Sequence, residues 1–218
     1  MTRFSIRSHL LLLVLAVSVP LVLAVGYGIY HDHQQAVGKA KATLHLLAQM
    51  MVTNTGGRIA EARRTLEILA DRPLVKLVDP GRCDPALKDL HALNPGFSNV
   101  VYTDLAGSVV CSALPLPGGK PVNVGQTPWF RKFLQEQRFT VGQPHVGPIT
   151  GKWVSVLSAP IRNERGEPVG AIHMPLDLKA YDPNIPVQHL PPESRYGFFA
   201  DDGIMIWRNL DPEGVIGT

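Results

Sequence analysis

The side chains with chemistry to offer lie in the middle and later part of this chain. Trp129 and Phe130 follow Thr127-Pro128, His145 sits in the loop Gly142-Gln-Pro-His-Val-Gly147, and Asp177 closes an apolar run. Large aromatics wall ligand pockets and fill cores alike, so Trp129 and Phe130 fit either role. His145 titrates near neutral pH, which would make any site containing it pH-dependent, and a Pro-flanked loop would otherwise leave it exposed. Asp177, at a predicted strand end, is a carboxylate for a ligand or a cap for the next turn. A hydrolase could combine Asp177 and His145 with a serine such as Ser155, but no spacing marks a triad, which geometry alone identifies.

Other motifs fail on detail. Gly147-Pro-Ile-Thr-Gly-Lys-Trp153 is one residue short of a phosphate loop and places Trp153 where a hydroxyl must reach magnesium, so it reads as a turn. There is no Gly-x-Ser-x-Gly elbow and no His-Glu-x-x-His helix. His31 and His33 flank Asp32 and read as a solvated helix segment rather than a metal site. No catalytic residue, cofactor or metal is expected.

The elements that position these residues begin at a membrane. Leu10 to Tyr30 carries no charge and, as a helix, covers the roughly 30 Å hydrocarbon core. A signal peptide is the competing reading, but the run is long for one and lacks a small-x-small cleavage site. Arg3 and Arg7 precede the span and the next basic residue other than histidine is Lys39, which keeps the N-terminus cytoplasmic and exports the remainder. Without those two arginines the formal charge falls from +3 to +1, so no nucleic-acid surface is indicated. In an oxidising compartment Cys83 and Cys111 would pair, the alternative being two buried thiols.

From Gln34 to Leu69 the spacing of Leu44, Leu47, Met51, Ile59, Ala62, Leu66 and Leu69 predicts one apolar helix face. Gly56-Gly57 predicts a bend or break, with Asn54 or Thr55 capping a second segment, and Asp71-Arg72-Pro73 ends the helix. A short helix over 85–92, a hairpin of 97–103 with 108–112, a helix over 128–137 entered at Thr127, and strands 153–160 and 169–176 follow. They make an α+β domain with an antiparallel sheet. After a proline-rich connection, strands 196–199 and 204–207 turn at Asp201-Asp202-Gly203 and begin a second module whose strand edges are unpaired.

These pieces, in order, resemble the double Cache sensor domains of bacterial chemoreceptors, histidine kinases and diguanylate cyclases. The resemblance rests on Asn99 to Ser112, Gln126-Thr-Pro-Trp-Phe-Arg131, Gly142 to Gly147 with Thr150-Gly-Lys152, Ala159-Pro-Ile161, and Gly166 to Ala171 leading to Asp177. It implies a chain divided as cytoplasmic start 1–9, transmembrane helix 10–30, stalk 31–72, membrane-distal ligand module 73–180, and an incomplete proximal module 181–218. It implies a bacterial inner-membrane receptor with its sensor in the periplasm, commonly dimeric, whose output domain lies beyond this sequence. In amino-acid-binding relatives, Trp129, Phe130 and Asp177 match the ligand motif, Asp177 receiving an ammonium. Thr127 stands where an Arg clamps the carboxylate, and His145 stands where a Tyr is found. Without a bidentate guanidinium the expected ligand is an amine, a neutral polar metabolite or an organic acid held by another cation. A surface adhesion module with a filled interior is a third reading.

Overall fold

The computed structural model describes residues 6–186, 188, 190–200, 203–210 and 214–217, which leaves Arg3 and the turn residues Asp201 and Asp202 outside the described residues. The chain divides into two units, residues 1–52 and 53–218. Helix α1 (Ile6–Ala70) provides most of the first and the start of the second. In the first unit, its apolar stretch from Leu10 is long and apolar enough to cross a membrane, and its Leu and Val side chains are exposed. Pro20 lies inside it without ending it, as Pro does in membrane helices.

In the second unit α1 runs through Gly56-Gly57 unbroken, which corrects the expected break. Two glycines cost roughly 1 kcal/mol each in a helix interior. Packing of Ile59, Ala62, Leu66 and Leu69 into the core just beyond them offsets that cost. Asn54 and Thr55 are tertiary anchors rather than caps. Asn54 donates to the carbonyls of Pro183 and Asn184, and Thr55 shares a 2.5 Å hydrogen bond with the Tyr181 hydroxyl. Leu44, expected on the apolar face, is exposed. The helix stops at Ala70, just before Pro73 opens the single turn α2 (Pro73–Lys76).

Helix α3 (Ala86–Leu93) follows a loop held by Asp84, whose Oδ1 accepts from the Ala86 amide while Arg72 donates to both carboxylate oxygens. The Arg72 guanidinium holds this buried carboxyl below its usual range. Cys83, in the same loop, is bonded to Cys111 across 28 residues.

Strands β1 (Val101–Asp104), β2 (Val109–Ser112), β3 (Thr140–Val141), β4 (His145–Val146), β5 (Trp153–Arg162) and β6 (Pro168–Asp177) form one antiparallel sheet. Its order is β2-β1-β6-β5-β3, with β4 on the same edge of β5 as β3. The first strand is shorter than expected, because Phe97 makes only an isolated bridge to Leu176 before the ladder starts. The Asn163–Glu167 turn joins β5 to β6, with Asn163 Oδ1 accepting from the Arg165 and Glu167 amides and Gly166 at φ +79°.

Alternation along the strands splits the core into two faces. Val100, Tyr102, Cys111, Leu157, Ala159, Ile161, Ile172 and Met174 pack with Ala62, Leu66 and Leu69 of α1. The opposite row, including Val154, Val156 and Ala171, packs under Trp129, Phe130 and Phe133 of helix α4 (Pro128–Glu136). The last described elements, β7 (Gly197–Phe199) and β8 (Met205–Arg208), pair antiparallel around Trp207, which meets Tyr181, Tyr196 and Phe198.

Candidate functional site

On the α4 face the sheet is not filled. A cavity of about 40 Å³ lies between the strands, Trp129 and the segment Gly147–Thr150. Its floor is the alternating row Val101, Thr103, Val109, Val154, Val156, His173 and Pro175, and its rim adds Ser98, Asn99, Val124 and His145. Among the described residues, no Asp, Glu, Lys or Arg lines it.

Trp129 reaches the cavity because α4 starts at Pro128, whose fixed φ suits a first helical position. The helix crosses so near β3 that a Cβ on Gly142 would lie 2.6 Å from the Trp129 Cβ. Glycine is therefore required there. Trp129 is 7% exposed, stacks on His145 at 5.9 Å and meets the His173 ring edge-on at 5.0 Å. Its indole Nε1 is buried without a hydrogen-bond partner.

His145 belongs to β4 rather than to an exposed loop, which corrects that expectation. It pairs with Val154, so its side chain shares the cavity face. Nδ1 lies 3.1 Å from the Gln143 carbonyl, an acceptor, so Nδ1 carries the proton and Nε2 is left as an acceptor. Nε2 is also buried without a partner. Burial lowers the His145 pKa below its ordinary value, partly opposed by the Gln143 bond.

The other three expected residues sit elsewhere. Phe130 is wholly buried in the α4 core and does not line the cavity. Thr127 is the residue before α4, yet its hydroxyl donates backwards to the Val124 carbonyl at 2.7 Å and caps nothing. It borders a neighbouring cleft with Lys132, Gln143 and Pro144, which His145 and Trp129 also touch. Asp177 is 3% exposed and fully engaged. One carboxylate oxygen takes Lys152 Nζ at 2.7 Å, and the other takes the amides of Lys179 and Ala180.

One residue not singled out from sequence shapes the site most. His173 is wholly buried, with Nδ1 2.9 Å from Ser158 Oγ and Nε2 3.1 Å from Thr103 Oγ1. Burial pushes its pKa down to about 3. The signal was present as a histidine in the row Ala171, His173, Pro175 of an otherwise apolar strand. The hydrolase trio does not assemble: Ser155 donates to the Gly142 carbonyl at 2.6 Å, and Asp177 is held by Lys152.

A larger cleft of about 280 Å³ opens on the other sheet face between α1 and the Leu93–Phe97 segment. Two of its polar side chains already engage Tyr181, Thr55 by a hydrogen bond to its hydroxyl and Arg58 over its ring. Among the described residues no cluster of His, Cys, Asp and Glu could hold a metal.

No family model matches the chain, and no curated protein matches its sequence. Solved structures do match. A Desulfohalobium retbaense extracellular ligand-binding receptor superposes with TM-score 0.57 at 17% identity over 79% of this chain, which spans 32% of that receptor. The ligand-binding domain of the Pseudomonas fluorescens chemoreceptor CtaA, solved with L-serine, gives TM-score 0.56 at 19% identity over 80% of this chain and 71% of that one. The Campylobacter jejuni chemoreceptor Tlp3 domain, solved with 4-methylisoleucine, gives TM-score 0.53 at 15% identity over 77% and 70%. The chain thus shares the α+β fold of these bacterial chemoreceptor ligand-binding domains.

Proposed function

We propose that this chain is the small-molecule-sensing part of a bacterial membrane receptor. Leu10 to Tyr30 anchors it, residues after 30 lie outside the membrane, and ligand enters the cavity under Trp129 in the 73–180 module. Residues 181–218 begin a second module, the receptor acts as a homodimer, and an output domain outside this sequence completes it. The chain itself performs no catalysis. The observation that carries the reading is the cavity, whose lining residues Trp129 and His145 each hold a buried polar atom without a hydrogen-bond partner. Buried polar groups are nearly always hydrogen-bonded, so such a pair marks where a ligand would complete the set. The structural neighbours solved with amino acids support a binding role for this fold.

Transmission follows from the strand alternation. Val154, Val156, His173 and Pro175 face the cavity, while Leu157, Ile172 and Met174 of the same strands press on the core that holds Ala62, Leu66 and Leu69 of α1. A ligand that prefers one spacing of α4 and sheet therefore biases the position of α1, provided it binds two conformations with different affinity.

The test is a thermal-unfolding screen of the full chain in nanodiscs against small metabolites, since a ligand of the native state raises Tm. A hit abolished by Val156→Phe, which fills the cavity, supports the reading. Hits indifferent to Val156→Phe, or turnover of an ester or peptide that His145→Ala abolishes, would replace it with another site or with a tethered hydrolase.

A further inference from the structure

We infer that the cavity takes an uncharged molecule carrying both a hydrogen-bond donor and an acceptor on a small apolar body, because the chain already supplies its own ammonium to Asp177, the carboxylate at the end of the cavity-facing row. The inference rests on the cavity being the ligand site and narrows what it holds.

Asp177 pairs with Val154 across β5 and β6, so it continues the cavity-facing row one position past Pro175. A free carboxylate there would attract a ligand cation. Instead Lys152 Nζ sits 2.7 Å from Oδ2, and the Lys179 and Ala180 amides occupy Oδ1 at 3.1 and 3.3 Å. A charged ligand would then enter a space whose walls carry no counter-charge. Desolvating an ion without a partner costs several kcal/mol, more than a small ligand recovers from apolar contact. The basic residues of α4 do not change this. Arg131 donates to Gln126 on the surface, and Lys132 lines the neighbouring cleft but not the cavity.

Two residues of the lining each hold a buried polar atom with no hydrogen-bond partner. Trp129 Nε1 can only donate, and His145 Nε2 accepts because Nδ1 is committed to the Gln143 carbonyl. The remaining surface is largely Val, Pro and Ile. At about 40 Å³ the cavity holds a few heavy atoms as it stands. A primary amide or an alcohol with a short hydrocarbon chain meets all three conditions.

Four matched probes decide the matter on the full chain in nanodiscs: butanamide, n-butylamine, butyrate and 2-aminobutyrate. Butanamide alone should stabilise the wild type, by ~5–10 °C in Tm at one hundred times its Kd. Lys152→Met, which removes the internal ammonium from Asp177, should make n-butylamine a stabilising ligand as well. Stabilisation by n-butylamine, butyrate or 2-aminobutyrate in the wild type, or none by butanamide, overturns the inference. The cavity reading survives if Val156→Phe, or Val101→Leu should the first variant not fold, abolishes whichever shift is seen. A butanamide shift that both variants leave intact overturns the cavity reading, and the inference with it.

Discussion

His173 should make the domain formed by residues 53–218 lose stability in mild acid, well above the pH at which carboxylates begin to titrate. The ring is wholly buried between Thr103 and Ser158 and ringed by Trp129, Phe130 and Phe133 at 5.0 to 6.1 Å. Nothing hydrogen-bonded or stacked on it carries a negative charge, and burial takes its pKa from 6.5 down to about 3. The unfolded chain binds a proton there below pH 6.5, whereas the folded chain stays neutral until about pH 3. Stability therefore falls as pH drops through this window, by up to about 1.4 kcal/mol per unit and by about 2.5 kcal/mol between pH 7 and 4.5. Asp79 and Asp84, whose pKa values hydrogen bonds lower, lose their contribution only below their ordinary range and stay out of it. The assay is urea unfolding of the full chain in nanodiscs, followed by Trp fluorescence, for wild type and His173→Gln. The amide keeps partners for Thr103 and Ser158 but does not titrate, and His145 contributes equally to both proteins. The wild type should lose about 2–3 kcal/mol more than the variant over this range. Parallel pH curves would refute the buried, neutral histidine. If His173→Gln does not fold, a wild-type His173 ring resonance that titrates near pH 6.5 refutes it equally.

Three further outcomes are expected. Reducing Cys83–Cys111 opens a loop of 28 residues and should lower urea stability by about 3–4 kcal/mol, as should Cys83→Ala with Cys111→Ala, and an unchanged midpoint would contradict a constrained unfolded state. Gly142→Ala forces a Cβ to 2.6 Å from that of Trp129 and should cost about 1–3 kcal/mol by thermal unfolding while weakening ligand binding. Ligand binding should be steady near neutral pH and fall only below pH 6.5, because the lowered pKa of His145 keeps Nε2 an acceptor until then. His173 lines the same cavity and stays neutral throughout, Lys132 touches the adjoining cleft, and loss of calorimetric affinity already at pH 7.5 would contradict His145 as acceptor.

Much of the fold was legible because periodicity and punctuation agree. The β5 and β6 strands alternate, Asn163-Glu-Arg-Gly166 turns them, and Pro128 opens α4. The unbroken α1 was not, since local propensity at Gly56-Gly57 opposes the packing that decides it. Strands β3 and β4 are two residues each, too short to show a period. In the site, Trp129 and His145 could be named from sequence because their residue types are conspicuous. Asp177 could be placed on its strand, but not its engagement with Lys152, which lies 25 residues away and depends on the β5–β6 register. His173 escaped notice because its importance comes from burial and two hydroxyl partners, which no local pattern encodes.

The most direct test of ligand sensing in this cavity is hydrogen exchange on the full chain in nanodiscs, with and without the ligand found by the thermal screen. The account predicts added protection in His145–Val156 and in α4, together with altered exchange in the Ile59–Leu69 segment of α1 that packs on the far face of the sheet. Protection confined to residues 55–65 and 93–97, with the surroundings of His145 unchanged, would place the ligand in the other cleft and contradict it.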